Sequence, residues 1–291
     1  MRTAKLVVGT DGSPPSLTAL RWAALEAQRR CVELVVVLAY NWRALTTRLL
    51  GGYEFREYIR DLATAIVDAA VAEVRTIAPK VRVRGSAVFG EPAPVLLDAS
   101  DEADMVVVGS HCGGGVAPPQ TGPGAGSLGV QLAARTCCPA TVVVRGHDGR
   151  SGDPVVVGVD GSASAGFATG IAFEEAARRN CPIMAVRAHD ARVRPHRADS
   201  SGARTWAGLE MALLGEVAGW HDKYPEVSVE HTIAKGSPAA VLTAWSRYAQ
   251  LVVVGGPDHR PACRLPAGSV GRQLIRHADC PVLLARARAG I

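Results

Sequence analysis

"VVGTDGSPPSLTALRWAALEAQRRCVELVVVLAY", Val7 to Tyr40, realigns on "VVGVDGSASAGFATGIAFEEAARRNCPIMAVRAH", Val156 to His189. Asp11 falls on Asp160, and Cys31 is matched with Cys181 once one residue is gapped. The match continues downstream. "GEPAPVLLDASDEADMVVVGS" (Gly90 to Ser110) realigns on "GSPAAVLTAWSRYAQLVVVGG" (Gly236 to Gly256), and "GSLGVQLAARTCCPATVVV" (Gly126 to Val144) on "GSVGRQLIRHADCPVLLAR" (Gly268 to Arg286). The same pieces recur in the same order over nearly the whole chain, so this is a tandem duplication. A length of 291 residues agrees, because one hydrophobic core stops growing near that size. The polar, glycine-rich "RGHDGRSGDP", Arg145 to Pro154, reads as the join. The expected domains are residues 1–146 and 154–291, with 147–153 as linker.

Each half has one rhythm. "KLVVGT" is a buried strand, and Ser13 is placed to cap a helix that ends near Arg30. "ELVVVLA" is the next strand, and "FREYIRDLATAIVDAAVAEVRTIA" has helical periodicity. "VRVRGSAVF" alternates like an edge strand, a helix begins at Pro92 or Pro94, and "DMVVVGS" and "ATVVVR" are the remaining strands. Short aliphatic runs apolar on both faces suit parallel strands covered by helices. The expected fold class is α/β: two tandem five-stranded parallel-sheet sandwiches, Rossmann-like, with helices on both faces. Trp22 and Trp245 are expected to pack in the core or between helices.

The composition narrows function. Apolar residues make up 48%, charged residues 20% and aromatics 5%, so the cores are aliphatic. The net charge of +5 is spread thinly, and its densest basic piece, "ARVRPHRA" (Ala191 to Ala198), has no aromatic to stack on a base. It reads as a solvated loop, and no nucleic-acid partner is expected. No apolar run approaches the roughly 20 residues that span a bilayer, and "MRTAKLVVGT" has too short an apolar core for a signal peptide. The expected place is cytoplasmic, with no membrane partner. The seven cysteines form no CxxC pair, and adjacent Cys137 and Cys138 lack the spacing of a zinc site. Most are expected to be buried, with Cys112 and Cys263 in glycine- and proline-rich loops as the exposed thiols.

In an open α/β sheet, ligands bind beyond the carboxyl ends of the strands, where the strand order reverses. The loops expected there carry "TDGS", "LAYNW" and "GSHCGGGVAPPQTGPGAGS" in the first half, and "VDGS", "RAHDA" and "GGPDHRPACRLPAGS" in the second. Glycines let backbone N–H groups approach an anion, and the free N–H groups of a helix starting at Ser127 or Ser269 favour one. GxxxxGK[ST] is absent, as is GxGxxG between the first strand and helix, which argues against a P-loop ATPase or a dinucleotide oxidoreductase. No Ser-His-Asp or Cys-His pair is indicated, so no catalytic residue is assigned. Asp11 and Asp160 also suit an Asx turn, and Ser127 and Ser269 suit plain caps.

The duplicated "VVG-x-DGS" openings, the "VVVG" strand with its long glycine loop, "GS-x-G", and a "CP-x-x-VV" close resemble tandem universal stress proteins over essentially all 291 residues. That resemblance implies an adenine-nucleotide alpha-hydrolase-like fold and, in ATP-binding members, G-x2-G-x9-G-[S/T] with the first-loop aspartate. Carried over, the aspartates are Asp11 and Asp160, the adenine-contacting strand ends Ala39 and Ala188, and the loop residues Gly109, Gly126, Ser127 and Leu128 in one half and Gly255, Gly268, Ser269 and Val270 in the other.

Both halves depart from the motif. Asp258 stands where the second half should have glycine, although nine residues then lead to Gly268. Cys112 takes that place in the first half, and thirteen residues, Gly113 to Ala125, follow it. A carboxylate roughly 5 Å from one phosphate charge costs about 3 kcal/mol at an effective dielectric near 20, more than the about 0.3–2 kcal/mol a helix N-terminus returns. A Mg²⁺ between Asp258 and the phosphates offsets that repulsion. The first site therefore ranks above the second. The expected function is a stress-response regulator binding ATP, with Mg, weakly or in one domain. The alternatives are a ligand-free scaffold whose last strands, "ATVVVR" and "PVLLAR", pair the two domains or form a homodimer, and a sensor using the cleft for another small molecule.

Overall fold

In the first half five short aliphatic runs become parallel strands: β1 (Lys5–Gly9), β2 (Glu33–Tyr40), β3 (Val83–Phe89), β4 (Met105–Gly109) and β5 (Ala140–Val144). The helices between them are α1 (Pro14–Arg30), α2 (Tyr53–Ile77), α3 (Pro92–Ser100) and α4 (Leu128–Arg135). The second half repeats the series with β6 (Val155–Gly158), α5 (Ala163–Arg179), β7 (Ile183–His189), α6 (Trp206–Lys223), β8 (Val229–Lys235), α7 (Pro238–Trp245), β9 (Leu251–Gly255), α8 (Val270–His277) and β10 (Val282–Ala285). The structure, a computed structural model, describes residues 4–41, 53–110, 128–146, 150, 152–189, 206–256 and 269–287. It divides in the main into a unit of Met1–Arg145 and a unit of Gly146–Arg260 with Leu265–Ala289.

Strand order is β3-β2-β1-β4-β5 in the first unit and β10-β9-β6-β7-β8 in the second, and every pairing within each unit is parallel. The central strands are buried throughout: Leu6, Val8, Val107, Val142, Val156, Val253 and Leu283 are all fully enclosed. Valine-rich strands covered on both faces by helices account for this. β3 and β8 lie outermost beyond β2 and β7, and their mixed exposure matches the alternating pattern of their sequences. Trp22 is buried on α1, as its spacing on the helix predicts.

The two α/β units differ in a detail that the cysteine pattern hides. α1 ends at Cys31 and α5 at Asn180, both in the left-handed region (φ 53° and 49°), and each N–H caps its helix on carbonyls of the last turn. The structural partner of Cys31 is thus Asn180, and Cys181 corresponds to Val32: their N–H groups donate to Ala176 and Ala27. Matching Cys31 with Cys181 put the gap one residue off. Cys31 and Cys137 are the exposed thiols among the described residues, whereas Cys138, Cys181 and Cys280 are buried. Cys112 and Cys263, expected to be exposed, lie outside the described residues. Burial pushes the Cys280 thiol up to about 12, so it stays protonated.

Each of these helices also buries a glutamate completely near its last turn. Glu26 accepts from Arg30 Nε at 2.5 Å and from Arg29 Nη1 at 3.4 Å. Glu175 is held the same way by Arg179 and Arg178. A buried carboxylate is tolerable only when paired, and the arginines supply that charge while complementing the negative end of the helix.

Cysteine is a poor occupant of a left-handed cap, where glycine has no steric penalty. Cys31→Gly is expected to stabilise the protein by about 1 kcal/mol, read as a higher urea midpoint at unchanged slope. Asn180→Ala should shift the midpoint down by a similar amount, and the two changes should add.

Candidate functional site

Parallel strands place every β-to-α connection at the carboxyl edge of the sheet. In the second unit the chain leaves β6 toward β7 on one side and returns to β9 on the other, which opens a crevice between Gly158 and Gly255. A cleft of about 340 Å³ lies there. This is the low end of the roughly 300–1,000 Å³ of small-ligand sites. Of the residues carried over from the sequence, Asp160, Ala188, Gly255, Ser269 and Val270 all line this cleft. Gly268 lies outside the described residues, as does Asp258.

In the first unit Asp11 follows β1, Ala39 lies near the end of β2, Gly109 ends β4 and Leu128 begins α4. They hold the places that Asp160, Ala188, Gly255 and Val270 hold in the second. Gly126, Ser127 and Cys112 lie outside the described residues.

Local chemistry shapes these positions. Each aspartate makes an Asx turn: Asp11 Oδ1 accepts the Ser13 N–H at 3.0 Å, and Asp160 Oδ1 the Ser162 N–H at 2.9 Å. The glycine between aspartate and serine is left-handed in both, with φ of 78° at Gly12 and 86° at Gly161. Ser13 does not cap α1 with its side chain, because its hydroxyl donates to Asp11 instead. Ser162 does cap α5, accepting from Ala165 N at 3.2 Å, and Ser269 caps α8, accepting from Arg272 N at 3.4 Å.

The motif's first glycine has a packing reason. A Cβ on Gly109 would stand 2.6 Å from the Pro15 carbonyl oxygen, and one on Gly255 2.8 Å from that of Ser164. Only glycine lets the strand end touch the backbone of the first helical turn. The last glycine of "GS-x-G" is alike, since a Cβ on Gly129 or Gly271 would meet Val143 or Leu284 at 2.6 Å.

Electrostatically, the cleft combines one carboxylate with helix N-termini. Asp160 is the single charged side chain among its described lining residues, and Ser162, Pro238 and Ser269 bring the starts of α5, α7 and α8 to it. Their free N–H groups favour an anion. On α8, Arg272 keeps its Nε buried without a hydrogen-bond partner. Behind the Asp160 loop, Arg187 on β7 meets Glu216 on α6 at 3.3 Å. Burial pushes the Glu216 carboxyl above its ordinary value, the Arg187 charge and the Gly161 N–H pull it down, and Asp160 adds to the push. A raised acid stabilises the fold most when protonated; that contribution is complete below the unfolded value and lost as pH rises through the folded one.

Arg187, Glu216 and Arg272 escaped the sequence reading, as did the apolar walls Val186, Leu242 and Val254. Arg272 had a usable signal: it follows "GSVG" directly, where the first half has Val130. No three metal-ligating side chains cluster among the described residues.

Gly255→Ala is expected to cost about 1–3 kcal/mol of stability through the forced shift of the α5 start. Gly166→Ala, on the same helix with nothing within 4 Å of the new Cβ, should be neutral or slightly stabilising. Paired melting curves of the two variants separate these effects.

The model of the universal stress protein family matches residues 3–144 and again 152–286. A universal stress protein of Mycobacterium tuberculosis is 34% identical over 292 residues, covering 97% of this chain and 96% of its own length. A second from the same organism is 32% identical over 303 residues, with coverage of 97% and 96%. The crystal structure of a universal stress protein from Archaeoglobus fulgidus superposes with a TM-score of 0.73 over 98% of this chain and 99% of that one, at 16% identity, and so speaks for the fold. No described helix is long and apolar enough to cross a membrane. With the family's motifs present twice and the family matched over both halves, this chain belongs to the universal stress protein family, in its tandem form.

Proposed function

We propose that the chain is a stress-response regulator that binds adenine nucleotide, weakly or in one domain, at the crevice where each strand order reverses. The observation that carries this reading is the second unit's cleft, where Asp160, Ala188, Gly255, Ser269 and Val270 meet beneath three helix N-termini. The purine would lie against Val186, Ala188 and Leu242, and the phosphates would face the N–H groups at the starts of α5 and α8. Mg²⁺ would enter with those phosphates and offset their charge. The first-unit site rests on Asp11, Ala39, Gly109, Gly126, Ser127 and Leu128, with no acidic residue at the place of Asp258. The domains are taken as 1–146 and 154–291, joined by 147–153. Regulation would follow from linkage: a nucleotide that prefers one conformation or assembly state shifts the population toward it.

A ligand-free scaffold that pairs the two domains or forms a homodimer, cytoplasmic like the regulator of the first reading, is the second reading, and one observation favours it. The Gly109 and Gly255 contacts and both Asx turns give the motif residues structural roles that need no ligand.

Titration calorimetry of Mg-ATP into wild type and Asp258→Gly separates the two. Saturable binding by the wild type near one site per chain is the expected result. Binding by Asp258→Gly alone would mean that one charge silences the second site. Silence in both proteins would leave the scaffold.

A further inference from the structure

The β6-to-α5 loop that carries Asp160 is supported differently from its counterpart in the first unit. Behind Gly161 stand two charged groups, with Glu216 Oε1 3.5 Å and Arg187 Nη2 3.9 Å from where a Cβ would be. The Gly161 N–H also favours the ionised form of the Glu216 carboxyl. Behind Gly12 the nearest group is the Ile66 side chain, at 3.3 Å. Strand register places Leu38, buried, where β7 has Arg187, since Gly9 pairs with Val37 and Gly158 with Val186. One loop rests on hydrocarbon and the other on an ion pair.

Deepening the nucleotide reading of this cleft, we propose that Glu216 and Arg187 form a proton-sensitive positioning device for the Asp160 loop, so that anionic ligands bind the second unit with proton uptake at Glu216. With both carboxylates ionised, Asp160, Glu216 and Arg187 carry one net negative charge beside the cleft. Protonation of Glu216 brings that to zero and removes the negative charge that the Gly161 N–H and Arg187 favour beside the loop. An anion entering the cleft favours the neutral trio, and by reciprocity lower pH favours the anion. Burial raises the Glu216 carboxyl above its ordinary value.

None of the other titratable groups on the elements packed against α6 is among those that act on Glu216; on β7 the His189 ring meets Trp206 edge-on. On β8, His231 contacts Glu210 at 3.3 Å and Lys235 lies over the Trp206 ring; Glu230 is exposed on the same strand. On α5, Glu174 and Glu175 pair with Arg178 and Arg179 in the last turns. Arg187, Asp160 and the Gly161 N–H are left as the groups that act on Glu216.

The test uses the full chain and two readouts. In amide-resolved NMR without ligand, the Gly161 N–H is expected to titrate above the ordinary carboxylate range, a transition absent in Glu216→Gln and absent at Gly12. Mg-ATP is then titrated while the Ala188 amide is followed. Glu216→Gln should bind about three- to tenfold tighter than wild type at pH 7.5, with the two converging once Glu216 is protonated. ATP's own titration is common to both proteins. The double variant Arg187→Leu/Glu216→Leu, apolar as the first unit is here, keeps the test open should Glu216→Gln misfold, and it too should lose the Gly161 transition. A Gly161 amide that does not follow Glu216, or equal wild-type and variant affinities at both pH values, overturns the proposal. A Gly161 transition with no Ala188 response to Mg-ATP in either protein would uphold the positioning device and overturn the nucleotide reading and its proton linkage.

Discussion

The contact between the end of a strand and the first turn of the helix that follows β1 or β6 is the constraint from which the rest of each unit takes its geometry. At Gly109 and Gly255 the two backbones approach so closely that no side chain fits between them. This pins the helix start above the sheet edge and aims its free N–H groups into the crevice. The contact sits where the strand order reverses, because β1 and β4, like β6 and β9, are neighbours whose connections depart in opposite directions. The cleft follows from glycine packing before any ligand is considered.

Much of this was legible in the sequence, for a physical reason. Parallel strands covered on both faces must be continuously aliphatic, so "KLVVG", "MVVVG" and "LVVVG" announce themselves, and a duplication states each signal twice. What stayed hidden depends on three-dimensional neighbours. Nothing in "LEAQRR" and "FEEAARR" marks Glu26 and Glu175 as fully buried, yet they are, each paired with an arginine one turn on. Cys31 and Cys181 looked equivalent because identity is visible in a sequence and a φ angle is not. Arg187 and Glu216 are 29 residues apart, on a strand and a helix, and nothing in their separate patterns couples them.

The two units show how a duplicated fold divides its obligations. Features tied to folding are kept in both: the glycine contacts, the Asx turns, the left-handed caps and the buried glutamates. Features around the crevice have drifted. Leu38 stands against Arg187 and Val130 against Arg272, and the Asp160 loop rests on charge where the Asp11 loop rests on Ile66.

Helix N-termini alone do not choose a ligand. Their convergence is a consequence of parallel topology and would greet any anion of the right size. Selectivity must come from the side chains that this chain has changed, and in the second unit those changes add charge of both signs, Glu216 and Arg187 behind the cleft and Arg272 on α8, to the aspartate that both units share. Charges held at the border of a small apolar cleft act at reduced dielectric, so each protonation or ion pairing there alters affinity more than the same event at an open surface would. Among the described residues the Asp160 loop is backed by an ion pair and the Asp11 loop by Ile66, so only the former is supported by groups whose charge depends on pH.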